Sequence, residues 1–155
     1  MKFKFQILLI FLFLSGGLYA CECIQTKSME EMVKDADIIF YGSVVAVDDR
    51  NDPVYAENVK YSTFGKDYAN KGGYEPIFKI IENFKGDIND HLIDGKFNYQ
   101  TEWTNCDRLY EIGYSYIFFG NYDDKGKIRT SICMMGGIVK DLEFLEEIRY
   151  LTKKQ

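Results

Sequence analysis

The chain has 155 residues with 19 basic and 24 acidic side chains, one histidine and four cysteines, and a formal net charge of −5. That length suits a single domain. The acidic balance gives no basic patch for DNA, RNA or heparin, so no nucleic-acid partner is expected.

The first twenty residues differ in character from the rest. Lys2 and Lys4 precede an apolar run from Ile7 to Leu14, and Ser15-Gly16-Gly17-Leu18-Tyr19-Ala20 follows. A basic start, a short apolar stretch and small residues form the layout of a secretory signal peptide. The run is shorter than the roughly 20 apolar residues that a membrane span needs. Residues 1–20 are therefore read as a signal peptide, and 21–155 as one domain beginning at Cys21. Its lysines removed, the mature chain keeps 17 basic and 24 acidic side chains. No transmembrane segment is expected in it.

In chain order, Ser28-Met29-Glu30-Glu31 has the Ser-x-x-Glu pattern of a capping box, opening a short helix to about Asp35 with Met29, Met32 and Val33 inward. Ile38 to Val47 is rich in β-branched and aromatic residues and predicts a long strand, with a bulge or bend at Gly42. Asp48 to Gly73 is polar, holds Pro53, Gly65, Gly72 and Gly73, and reads as a long connection, a length usually tied to function or mobility. Ile77 to Ile81 predicts a second strand, closed by Lys85-Gly86-Asp87. A weaker third covers Lys96 to Thr101. Tyr114 to Phe119 is a fourth, and Asp123-Asp124-Lys125-Gly126 turns it into a fifth, Lys127 to Met134. After Gly136-Gly137 the spacing becomes helical, with Ile138, Leu142, Leu145 and Ile148 on one face. Glu143, Glu146, Glu147, Arg149, Lys153 and Lys154 form its solvated face. The fold class expected is mainly β: a five-stranded, OB-fold-like barrel with a short N-terminal helix and a C-terminal helix.

Cysteine parity in an exported chain implies two disulfides among Cys21, Cys23, Cys106 and Cys133, and three connectivities are open. The Cys-x-Cys spacing does not fit a structural zinc site. His91 sits in a polar loop as a surface residue, and no intrinsic metal site is expected. No Ser-His-Asp group, phosphate-binding glycine loop or free nucleophilic cysteine is present, so the chain is not expected to be an enzyme. Trp103 suits either a contact residue or a plug for one barrel end.

Three features together resemble the netrin-like module of the tissue inhibitors of metalloproteinases, in its N-terminal inhibitory domain. They are Cys21-Glu22-Cys23 after the cleavage point; the strand Ala36-Asp37-Ile38-Ile39-Phe40-Tyr41-Gly42-Ser43-Val44 soon after a short helix; and the order Cys106, Tyr114–Gly120, Lys127–Cys133, helix. The resemblance implies the pairs Cys21–Cys106 and Cys23–Cys133, a preference aided by the closeness of Cys21 to Cys23. Long loops of this kind constrain the unfolded chain by about 4–5 kcal/mol each.

The resemblance further implies a secreted, monomeric inhibitor whose partner is a zinc metalloprotease. The α-amino nitrogen and carbonyl oxygen of Cys21 would chelate the target's catalytic zinc, which keeps an open position for a ligand. The amine must lose its proton to bind, at small cost near neutral pH because its reference pKa is about 7.7–8.0. No cofactor is implied, since the zinc belongs to the target. Glu22, Cys23 and Ile24 would join Glu102, Trp103, Thr104 and Asn105 in the protease-contact ridge, with Glu22 in the pocket beside the zinc. The chain departs from the family in lacking the proline after the second cysteine, the third disulfide and a small or uncharged residue at Glu22. The alternative is a netrin-like protein-binding module without inhibitory activity, periplasmic or anchored to a membrane by a lipid on Cys21.

Overall fold

A computed structural model describes residues 27–48, 73–101, 110–130, 133–134, 136–139 and 142–154. Helix α1 spans Met29–Asp35. Strand β1 spans Ile38–Val47, β2 Pro76–Lys85, β3 Leu92–Ile93, β4 Lys96–Asn98, β5 Ser115–Tyr122 and β6 Ile128–Arg129; helix α2 spans Leu142–Lys153. A 3₁₀ turn, Asn89–His91, leads into β3. All pairings are antiparallel, and the strands lie in the order β3-β4-β2-β1-β5-β6. The sheet curls into a half-barrel.

The sequence dictates the start of α1 directly. The Ser28 hydroxyl accepts from Glu31 N–H while the Glu31 carboxylate accepts from Ser28 N–H at 2.8 Å, so two orphan donors are satisfied reciprocally. The hydrogen bonds from Ser28 hold the Glu31 carboxyl below its ordinary range. Past Asp35 the chain turns at once into β1. Asp37 N–H donates to Gly120 O, and the Asp37 carboxylate accepts from Tyr122 N–H, tying this turn to β5.

β1 is the centre of the sheet, paired with β2 on one side and β5 on the other. Its register against β2 shifts between Ile39 and Phe40, between Tyr41 and Gly42, and between Val44 and Ala46. Such bulges bend a strand and sharpen its twist, which lets a sheet curl. Alternate residues of β1 and β5 therefore serve two cores. Ile38, Phe40, Tyr116 and Phe118 point into the concave side, with Phe78 and Phe97. Ile39, Ile117 and Phe119 point to the convex side, where Met32, Val33, Leu145 and Ile148 of the two helices cover them.

The described residues form six strands where the sequence predicts five. The added strand is β3, two residues long, joined to β4 by Asp94-Gly95, both at positive φ. Two central residues at positive φ make the type I′ turn, whose twist suits a tight hairpin. Other boundaries move as well. β2 runs to Lys85, four residues past the predicted Ile81, while β4 ends at Asn98 and β6 at Arg129. β6 is an edge strand, and β4 has β3 beside it only at Lys96 and Phe97, so both lose pairing sooner. Ser131 and Ile132, predicted in the fifth strand, lie outside the described residues, and Met134 lies beyond the strand. The C-terminal helix begins at Leu142, so Ile138 precedes it and instead bridges Tyr116. Leu142, expected inward, is 74% exposed; Leu145 and Ile148 are buried as expected. Arg149, expected in solvent, is half-buried and grips Glu82 of β2.

Candidate functional site

The roots of two long segments meet at one rim of the half-barrel. Residues 49–72 leave at Asp48 and return at Gly73; residues 102–109 leave at Thr101 and return at Tyr110. Two side chains and a close glycine tie these roots together. The Asp48 carboxylate accepts from Glu75 N–H at 2.9 Å, and Asp48 N–H donates to Glu75 O. Thr101 is 1% exposed, and its hydroxyl accepts from Tyr74 N–H at 2.8 Å while donating to Tyr74 O at 2.9 Å. Gly73 approaches so closely, at φ +114°, that a Cβ there would sit 2.2 Å from Thr101 O. Only glycine fits that position.

Tyrosine hydroxyls complete the rim. Tyr74 accepts from Tyr110 N–H at 2.8 Å, and Tyr116 accepts from Glu111 N–H at 2.9 Å. Tyr99 reaches across to accept from Thr130 N–H at 3.3 Å. Each ring lies in the aromatic core and each hydroxyl meets a backbone donor where regular pairing stops. A buried N–H left without a partner costs free energy, so this placement satisfies donors that strands would otherwise serve. The result is a rim whose segment ends are fixed from within the core.

Most residues that the sequence singles out lie beyond these roots. Cys21, Glu22, Cys23, Ile24, Glu102, Trp103, Thr104, Asn105 and Cys106 are outside the described residues. Thr101 is the residue before Glu102, and Thr130 stands three residues before Cys133. Cys133 carries a disulfide. On the N-terminal side, Lys27 pairs with Asp35 at 2.6 Å, and this bond is the main cause of a lowered Asp35 carboxyl pKa. Met29 and Met134 both pack against the convex-side cluster. His91, expected in a surface loop, is half-buried with its ring 5.6 Å from that of Tyr122. Among the described residues no group of three or more His, Cys, Asp or Glu is gathered to hold a metal, and no helix is long and apolar enough to cross a membrane.

The sequence reading missed Tyr74, Thr101, Tyr110 and Tyr116 as rim residues. For the tyrosines the residue type is suggestive, since tyrosine combines an apolar body with a polar tip, but which of them meets a backbone donor depends on where the strands end. No protein-family model matches the chain, and no curated protein matches it.

Proposed function

We propose that the protein is an exported inhibitor of zinc metalloproteases, similar to the inhibitory domain of the tissue inhibitors of metalloproteinases. On this reading residues 21–155 form a netrin-like OB-fold barrel held by Cys21–Cys106 and Cys23–Cys133. The free amine and carbonyl oxygen of Cys21 take the open position on the target's zinc. Two disulfides beside that residue hold it still before binding, which cuts the entropy lost on association. Glu22 then faces the pocket next to the zinc, and Glu102–Asn105 completes the ridge.

One observation carries the reading. The strand ends leading to Cys106 and Cys133 are tethered to each other, because Tyr99, two residues before Thr101, accepts from Thr130 N–H. Cys21 and Cys23 are separated by one residue, so their two partners must lie close together, which neighbouring exits from the barrel favour. The tether between Tyr99 and Thr130 supports such a layout. The shared packing of Met29 and Met134 supports the same layout, since it brings the chain after Cys23 and the residue after Cys133 to one face.

The test compares protein beginning at Cys21 with protein carrying one extra alanine before it, both checked by intact mass and circular dichroism. Inhibition constants are measured against a zinc endopeptidase with an apolar pocket and one with a wide, polar pocket. Chelation needs the amine and carbonyl of one residue in a five-membered ring with zinc, so the extended protein should lose inhibition while keeping its fold. Equal potency of the two proteins would refute zinc contact. A mass that includes an acyl group on Cys21 in the exported protein would instead support the anchored, non-inhibitory module.

A further inference from the structure

The sheet curls until its two outer edges face one another, and among the described residues no strand pairing joins them. β6 is outermost on one side. On the other, β3 covers β4 only at Phe97 and Lys96, so Asn98 to Gln100 have no neighbouring strand there among the described residues. A cleft of about 350 Å³ lies between the edges, with Phe97, Tyr99, Gln100, Lys127, Ile128 and Arg129 in its walls.

The bonds already made fix which way the backbone points. Tyr99 and Thr101 donate their N–H groups to Pro76 O and Tyr74 O, toward β2. Successive backbone groups in an extended chain face alternate sides. Gln100 therefore turns its N–H and C=O toward the cleft. On the facing wall Lys127 O accepts from Asp123 N–H, toward β5. Ile128 and Thr130 point the opposite way, and the bond from Thr130 N–H to the Tyr99 hydroxyl runs across the seam and closes one end of it. An unpaired ladder edge is a template for a further strand. Here two such edges flank one gap.

The chemistry of the walls narrows the occupant. Phe97, Tyr99 and Ile128 supply an apolar floor. Lys127 is exposed, and Arg129 lies beside it with its Nε on the Asp123 carboxylate at 2.9 Å. Asp90 is the one acid among the lining residues, in a protein whose net charge is −5. The volume falls at the small end of the roughly 300–1,000 Å³ of ligand sites, enough for a few residues. We infer that the seam binds a short extended peptide segment bearing an acidic side chain. Its backbone pairs with Gln100 and Ile128, its apolar side chains face the floor, and its carboxylate meets Lys127. The site uses nothing from Cys21, so it stands or falls separately from protease inhibition.

The test is a titration of isotope-labelled protein, followed by amide resonances, with the capped peptides acetyl-Val-Glu-Val-amide and acetyl-Val-Lys-Val-amide as probes. The glutamate peptide should shift the Gln100 and Ile128 amides and slow hydrogen exchange at Ile128. The lysine peptide should bind about tenfold more weakly, a difference of about 1.4 kcal/mol. Lys127→Glu, an exposed change, should reverse that preference, and Lys127→Ala should abolish it; the unbound spectra of both verify the fold. No response to the glutamate peptide at about 10 mM, a limit corresponding to binding weaker than about 3 kcal/mol, would overturn the inference. So would equal binding of the two peptides, or shifts confined to residues away from the seam.

Discussion

The concave and convex sides of the sheet are built from the same strands but from different chemistry. The concave core interlocks rings: Phe118 stacks on Phe40 at 4.9 Å and lies within 5.9 Å of Phe78, Phe97 and Tyr99. The convex cluster is mostly aliphatic, with Val33, Ile39, Ile117, Leu145 and Ile148 between sheet and helices. Rings enclosed by a curled sheet have little room to shift, whereas a helix resting on a sheet can settle into a gap. The first side also ends in tyrosine hydroxyls that hold the rim, so its packing reaches the candidate site. The second closes through an ion pair, in which Arg149 donates to both Glu82 carboxylate oxygens across α2 and β2.

The largest expected effect is a truncation in the ring core. Phe118→Ala should cost about 4 kcal/mol, and Leu145→Ala about 3 kcal/mol, since the space left by a leucine under a helix can partly collapse. Urea unfolding at constant slope measures both. A larger loss for Leu145→Ala would reverse the proposed contrast between a caged core and a yielding one.

Tyr74→Phe is smaller and more local. It keeps the ring and removes the acceptor for Tyr110 N–H, leaving a buried donor at a cost of roughly 1–3 kcal/mol. Hydrogen exchange at the Tyr110 amide should quicken more than the global loss of stability accounts for. An unchanged exchange rate there would mean that the hydroxyl does not hold the rim.

The smallest effect belongs to the ion pair. Hydrogen bonding from Arg149 lowers the Glu82 carboxyl pKa below its ordinary value. A group with a depressed folded pKa stabilises the protein above its unfolded pKa and loses that contribution as pH falls through the folded one. Stability should therefore decline on acidification below about pH 4.5, near the reference range for glutamate. Glu82→Gln should remove part of this decline, with only a small change at neutral pH because the pair is a third exposed. An identical pH profile in the variant would place the acid sensitivity elsewhere.

Much of the fold was legible because its strongest segments are locally consistent. The Ser28 capping box and the unbroken run Ile38–Val47 mark α1 and β1, and the register shift at Gly42 falls where that glycine suggested a bend. β3 was missed because two residues carry no periodicity, although Asp94-Gly95 is a hairpin signal. The helix was started too early because Ile138 and Leu142 have the right spacing, while tertiary pairing draws Ile138 onto Tyr116. At the site, the sequence drew attention to the segment after Thr101 but not to the hydroxyls beneath it. Which backbone donors lack a strand partner depends on where edges end, and no local pattern encodes that.

The most direct measurement of the central claim is a map of the protein's cysteine bonds under non-reducing conditions. On the proposed reading, in which the pairing follows the family resemblance, the terminus is held by Cys21–Cys106 and Cys23–Cys133, with no free thiol. A Cys21–Cys133 bond, or an acylated Cys21 with an unpaired partner, would contradict it.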